Sequence, residues 1–123
     1  MPRFVPASVS ELARVPLFSG ISGQALAGLA GAMRREHVAP GAAVIEEGDE
    51  GDRFYVVLSG VLTVSQQALG PRRVLRPGDT FGEVALTMDV PRTASVRAMT
   101  PVVVASCDRK AFDRFVRPIF SDG

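Results

Sequence analysis

From Pro40 onward the chain is punctuated by turn signals too closely spaced for any long helix. They fall at Pro40-Gly41, Gly48-Asp49, Gly51-Asp52, Ser59-Gly60, Gly70-Pro71 and Pro77-Gly78-Asp79. Glycine supplies positive φ and proline fixes φ near the turn value, so each pair marks a reversal rather than a continuation. Between them lie short β-prone runs at 43–45, 54–58, 61–65, 73–75, 93–98 and 102–106. Short strands at this spacing predict a sandwich, a jelly roll or a small antiparallel barrel. The 93–98 segment alternates, with Ala94, Val96 and Ala98 set against Thr93, Ser95 and Arg97, as a half-buried strand does. The 102–105 run is continuously apolar and is expected to be buried on both faces.

The flanks read as helices. Pro2, Pro6 and Pro16 make residues 1–20 irregular, with a short helix expected around Ser8–Arg14 and stopped by Pro16. Ser22 is a good N-cap for a helix from Gly23 to Arg35, whose Leu26, Leu29, Ala30 and Met33 form one stripe. His37, one turn beyond Met33, is then a cap or surface residue near that helix's end. Asp108 should cap a last helix carrying Phe112, Phe115, Val116 and Ile119, with Pro118 ending or kinking it at Arg117. Gly123 closes the chain, and no linker, repeat or low-complexity tract divides it. The expected architecture is mainly β with flanking α-helices, in one domain spanning residues 1–123.

Charge and composition remove most chemistries. Fourteen basic against thirteen acidic residues give a net charge of +1, too little for a nucleic-acid binder that neutralises many phosphates. One cysteine forms no internal disulfide and suits a reducing compartment, and one histidine is too few for a histidine-based metal site. Cys107, before a helix but without a base partner, reads as inert rather than nucleophilic. Asp49, Asp52 and Asp79 sit beside glycines and read as turn formers, not metal ligands. No run approaches the roughly 18 apolar residues of a membrane span, and no signal-peptide pattern opens the chain, so a cytoplasmic location without direct membrane insertion is expected. Lys110 is the single lysine, leaving thirteen arginines. Genomic base composition accounts for the general excess, but an arginine fork also grips phosphate better than an ammonium does.

The segment that carries chemistry is Phe81–Val96, FGEVALTMDVPRTASV. Gly82 lets another group approach the backbone closely. Glu83–Leu86 can form one helical turn whose free N–H groups suit an anion. Arg92 offers a charge-assisted fork to that anion, Pro91 stiffens its approach, and Thr93 adds a hydroxyl. Glu83 has the wrong charge for a phosphate but the right one for a sugar hydroxyl, as in dinucleotide sites. Together these point to one phosphate with a neighbouring ribose. No GxxxxGK[ST] loop is present, which argues against a nucleoside triphosphatase. The residues alone leave a second reading open, a ligand-free ion pair between Arg92 and Glu83, with Thr93 merely starting a strand.

The segment resembles the phosphate-binding cassette of cyclic nucleotide-binding domains. It matches as Phe81-Gly82-Glu83-Val84-Ala85-Leu86 followed by Pro91-Arg92-Thr93-Ala94-Ser95-Val96. The similarity extends to Pro16-Leu17-Phe18, Gly41, Gly48-Asp49, Gly51-Asp52, Tyr55, Ser59-Gly60 and Pro77-Gly78-Asp79, covering about residues 14–117. It implies an eight-stranded antiparallel β-roll, jelly-roll-like, with N-terminal helices and a short C-terminal helix. It also implies a regulatory module, not an enzyme, that binds cyclic AMP or cyclic GMP and relays binding through its helices. Carried over by position, Arg92 pairs with the cyclic phosphate, Glu83 holds the ribose 2′-OH, and backbone groups of Gly82, Val84 and Ala85 add hydrogen bonds. Thr93 lies beside the phosphate; a threonine there resembles members accepting cyclic GMP, although many cyclic AMP binders share it. Val64 and Val74 are the candidates for the wall against the base. No cofactor or metal is implied beyond the nucleotide ligand.

The resemblance has departures. Members usually continue into a longer C-terminal helix that caps the base, whereas this chain stops soon after Pro118. The lid is therefore expected to be truncated, replaced by Ile119–Phe120, or supplied by another part of a parent protein, with Phe115 as a further lid candidate. No helix-turn-helix follows, as it would in a catabolite-activator-type transcription factor. The expected partners are the nucleotide and an effector domain (channel, transporter or enzyme) in a longer chain, the isolated domain being a monomer. The alternatives are an interaction module with the same fold and an altered pocket, and a cupin-like metalloenzyme, which a single histidine disfavours.

Overall fold

A computed structural model describes residues 5–121; Pro2 and Gly123 lie outside the described residues. The chain opens with α1 (Val9–Ala13), a 3-10 turn at Pro16–Phe18 and α2 (Gly23–Ala32). Eight strands follow: β1 (Arg34–Val38), β2 (Ala43–Ile45), β3 (Arg53–Ser59), β4 (Leu62–Gln66), β5 (Gly70–Leu75), β6 (Thr80–Phe81), β7 (Ser95–Ala98) and β8 (Val102–Asp108). A short helix α3 (Glu83–Met88) stands between β6 and β7. After β8 come α4 (Arg109–Ala111), a π-helical turn (Phe112–Val116) and α5 (Arg117–Ser121). The strands form two antiparallel four-stranded sheets, ordered β1-β8-β3-β6 and β2-β7-β4-β5. The eight-stranded, mainly β architecture with flanking helices is the one expected.

The expected helix starts hold. Ser8 accepts from the Glu11 amide while the Glu11 carboxylate accepts from the Ser8 amide, a reciprocal capping box that starts α1. Ser22 caps α2 through the Ala25 amide, and Asp108 caps α4 through the Ala111 amide.

Strand β5 starts at Gly70 rather than at 73 and β7 at Ser95 rather than at 93, and two boundaries differ further from the sequence reading. Helix α2 ends at Ala32, not Arg35, and Met33 is extended (φ −95°, ψ 129°) although its side chain stays fully buried. Arg34–Val38 is strand β1, paired residue by residue from Arg34–Ser106 to Val38–Val102. The central strand β8 has a row of backbone groups on that side that need partners, and satisfying them outweighs extending the helix. His37 is accordingly an exposed strand residue, not a helix cap. The second difference is at Pro118, where the helix continues instead of ending. The π turn lets the Arg117 amide donate to the Phe112 carbonyl, so Pro118 falls in the first turn of α5, where its missing N–H costs nothing. Strand β6 was not foreseen because two residues carry no periodicity.

Strands β3 and β8 are sandwiched between two cores. Phe54, Val56, Ala105 and Cys107 face a helical cluster with Leu12, Leu29, Met33 and Phe112. Tyr55, Val57, Val102 and Val104 face the interior of the roll with Ile45, Leu62, Leu75 and Val96. Alternation along each strand thus feeds both cores, which explains the continuous apolar run at 102–105. Among the described residues no helix is long and apolar enough to cross a membrane.

Phe54 is fully buried between Phe18 (centroids 6.5 Å, 60° between planes) and Phe112 (5.4 Å, 50°). Truncating it should leave a cavity between sheet and helices. We expect Phe54→Ala to lower unfolding free energy by about 3–5 kcal/mol in urea titrations. The fully buried Cys107 thiol is pushed up to about 12, chiefly by burial, with the Arg53 charge opposing. The unfolded thiol gives up its proton at a lower pH than the folded one, so its contribution to stability falls as pH rises from about 9 towards about 12. In native protein at mild alkaline pH a thiol reagent should therefore react only at the rate of opening, and at once after denaturation.

Candidate functional site

The site is built where β6 ends. Gly82 adopts φ 94° and ψ −7°, and a Cβ there would stand 2.8 Å from the Arg53 carbonyl oxygen, so glycine is required on both counts. This turn launches α3, whose first N–H groups have no partner within the helix. Glu83 and Val84 open the helix at the surface of the roll, while Ala85 and Leu86 are buried beneath them. The helix ends at Asp89, itself left-handed at φ 54°.

Arg92 is held from four directions. Its amide donates to the Asp49 carbonyl and its carbonyl accepts from the Gly48 amide, both at 2.8 Å. Its Nη1 donates to the Gly82 carbonyl and its Nη2 to the Arg53 carbonyl, again at 2.8 Å. Gly51 lies flat against the guanidinium: a Cβ there would meet Cζ and Nε at 2.8 Å and the Ala85 Cβ at 2.4 Å. The side chain is only 8% exposed, and burial lowers its pKa, opposed by Tyr55, Asp52 and Glu83. A guanidinium nevertheless stays charged in proteins. Among the described residues no ion pair joins Arg92 to Glu83 or to any other carboxylate. The ligand-free ion pair left open by the sequence is therefore not what forms. The two carbonyls use two of five N–H donors, and a buried cation with neutral partners has capacity for an anion.

An open recess lies over this seat, walled by apolar strand residues and the start of α3. Gly82, Glu83, Val84, Ala85, Arg92, Thr93 and Val64 all line it, so seven of the eight expected residues are brought together. Ile45, Leu75 and Phe81 complete the apolar wall. The Phe81 ring stacks on Tyr55 at 4.8 Å and 5°, which stiffens the floor beside Arg92.

Val74 is the exception. It pairs across the sheet with Thr63, is 36% exposed, and stays outside the recess. Cross-strand partners share a face, and the partner of Val64 is Arg73, so Arg73 lines the recess while Val74 points away. Phe115 is not a lid either: it packs over Gly28 of α2, where a Cβ would lie 2.8 Å from its ring. The sequence marks Gly51 as a turn residue but not as the seat of Arg92, and gives the Arg53 carbonyl no role, because nothing in their own local pattern refers to position 92.

The far end of α3 is tied to the C-terminal helices. The Leu86 carbonyl accepts from Arg117 Nη2 at 2.8 Å, and Arg117 Nε donates to Asp113 on its own helix at 2.8 Å. Arg109 makes longer contacts of 3.4 Å to the carbonyls of Leu86 and Gly51. Helix α3 thus joins the recess to the last helices through hydrogen bonds. Since a methyl at position 51 would overlap both Ala85 and the guanidinium, Gly51→Ala should cost about 1–3 kcal/mol in chemical denaturation.

The family model described as "Cyclic nucleotide-binding domain" matches residues 35–118. A cAMP-dependent protein kinase regulatory subunit of Eremothecium gossypii is 40% identical over 108 residues, which are 88% of this chain and 24% of that protein. The chain spans about a quarter of the length of the curated relatives it matches. Among solved structures, the regulatory domain of Toxoplasma gondii PKA with cAMP has a TM-score of 0.85 at 31% identity, over 90% of this chain and 44% of that one. The regulatory subunit of a cAMP-independent protein kinase A from Trypanosoma cruzi, bound to guanosine, has a TM-score of 0.85 at 27% identity, over 93% and 42%. With the cassette complete, its arginine seated beneath the recess and the family model matched over residues 35–118, the chain belongs to the cyclic nucleotide-binding domain family.

Proposed function

We propose that this chain is a regulatory module that binds a 3′,5′-cyclic purine mononucleotide in the recess over Arg92 and is not itself an enzyme. The observation that carries the reading is the buried Arg92 guanidinium, bonded among the described residues only to carbonyls and lining an open recess. In this reading the cyclic phosphate accepts from the remaining Arg92 donors and from the amides that open α3. Glu83, half-buried at the same rim, takes the ribose 2′-OH, and its negative charge keeps it off the phosphate. The amides of Val84 and Ala85 and the Thr93 hydroxyl complete the phosphate end, and the base lies against Val64 and its apolar neighbours. The names of the relatives put cyclic AMP forward, and cyclic GMP fits the same phosphate end.

Ligand binding would be relayed because α3 is bonded at one end to the recess and at the other to Arg117. A nucleotide that binds one placement of α3 more tightly shifts the C-terminal helices towards the matching placement. The effector would be a protein kinase catalytic chain, as the relatives' names suggest, or another domain of a longer protein. An interaction module with the same fold and no nucleotide is the competing reading, and the buried unpaired arginine argues against it.

Isothermal titration with cyclic AMP, cyclic GMP and adenosine tests the site. At least one cyclic nucleotide should bind and adenosine, lacking the phosphate, much more weakly. Arg92→Ala should cost about 1.5–3 kcal/mol of binding, roughly ten- to a hundredfold or more. Glu83→Ala should weaken binding while leaving the unliganded melting temperature unchanged, which separates ligand contact from support of the fold. No heat with either cyclic nucleotide would leave only the interaction module.

A further inference from the structure

We infer that Gln66 is a positioning residue for the nucleotide, holding the Thr93 backbone so that the Thr93 hydroxyl is in place before the phosphate arrives. The inference rests on the cyclic-nucleotide reading above and deepens it. The β4–β7 ladder runs from Leu62–Ala98 to Ser65–Ser95 and stops there. Thr93 and Ala94 precede β7 and line the recess, so their backbone has left the sheet. A carbonyl beyond the end of a ladder still needs a donor. Gln66, the residue after Ser65 on β4, supplies one: its Nε2 donates to the Thr93 carbonyl at 3.0 Å. Only the nitrogen of the side-chain amide can face a carbonyl, so this contact also fixes which way the amide is turned.

Two further bonds close a ring around this contact. The Gln67 amide donates to Glu47 Oε1 and the Glu47 amide donates to Ser95 Oγ, each at 2.9 Å. The next two residues, Gly48 and Asp49, hold the Arg92 backbone. The β2–β3 loop, the β4–β5 turn and the segment entering β7 are thereby bonded to one another. Arg92 does not depend on Gln66, since the Gly82 and Arg53 carbonyls and the Gly48-Asp49 turn already fix it. Thr93 is exposed, and among the described residues Gln66 is the one side chain bonded to its backbone. What Gln66 adds is therefore the placement of Thr93. A contact residue ordered in advance spares the ligand that ordering cost, which raises affinity without a new contact.

Titrations of the intact chain with cyclic AMP and cyclic GMP test this in Q66M, Q66N, T93A and the Q66M/T93A double variant. Methionine keeps the length of the side chain without a donor, and asparagine keeps the amide but is one carbon short. Both should weaken binding of whichever cyclic nucleotide the wild type binds, by roughly three- to tenfold. In the T93A background Q66M should cost nothing more, because no hydroxyl is left to place. Wild-type affinity in Q66M or Q66N, whatever the melting temperature, overturns the inference while the nucleotide site stands. So does an equal loss with and without the Thr93 hydroxyl, which would make Gln66 a ligand contact or a support of the whole recess. Absence of binding by the wild type to either nucleotide overturns the nucleotide site, and this inference with it.

Discussion

The Arg92 guanidinium fastens together segments that are far apart in sequence. Its hydrogen bonds reach the Gly82 carbonyl at the start of α3 and the Arg53 carbonyl at the start of β3, while its own backbone is clasped by the turn at Gly48-Asp49. A charge this deeply placed would destabilise the fold if it were left without donors' partners, and carbonyl dipoles meet only part of its demand. The same bonds fix the direction of the fork, and the side chain lines the recess. Support of the fold and readiness for an anion therefore come from one side chain. Both neighbouring glycines follow from this seat, since at either 51 or 82 a methyl group would intrude on the arginine or on the carbonyls that hold it.

That seat depends on the layered core beneath it. Strands β3 and β8 have apolar side chains on both faces, and the Arg53 carbonyl is positioned because β3 pairs with β8 from Arg53–Asp108 onward. Tyr55, one pleat away on the roll side, stacks with Phe81, the residue immediately before Gly82. Burial pushes the Tyr55 pKa up, while the Arg92 and Arg53 charges pull it down, so the phenol stays neutral beside the arginine. The helical cluster on the opposite face of β3 couples to the site through the sheet itself, and Leu86 of α3 packs into that cluster.

The parts of this arrangement that were legible in the sequence are those written in contiguous residues. Turn pairs of glycine and proline located most of the strands, caps at Ser22 and Asp108 located helix starts, and the 81–96 segment carried most of the residues around Arg92 that line the recess. What stayed hidden was set by partners elsewhere. Strand β1 exists because β8 needs a neighbour, so Arg34–Val38 could not be distinguished from a helix end by its own pattern. Pro118 continues a helix because the preceding π turn shifts the hydrogen-bond register by one residue. Val74 and Arg73 exchange roles for the same kind of reason: only the pairing of β4 with β5 decides which of two adjacent side chains faces inward.

The two ends of the recess differ in how each was specified, and that difference bears on how such a site diverges. The Arg92 end is overdetermined: Arg92 is bonded to two carbonyls, packed by Gly51, and placed by a turn that only glycine adopts comfortably. Changing any of these disturbs the fold as well as the ligand. The β4–β5 side is a wall of strand residues in which Arg73 makes no side-chain bond among the described residues, so a substitution there costs little stability. A roll of this kind can keep the Arg92 seat while side chains on β4 and β5 vary.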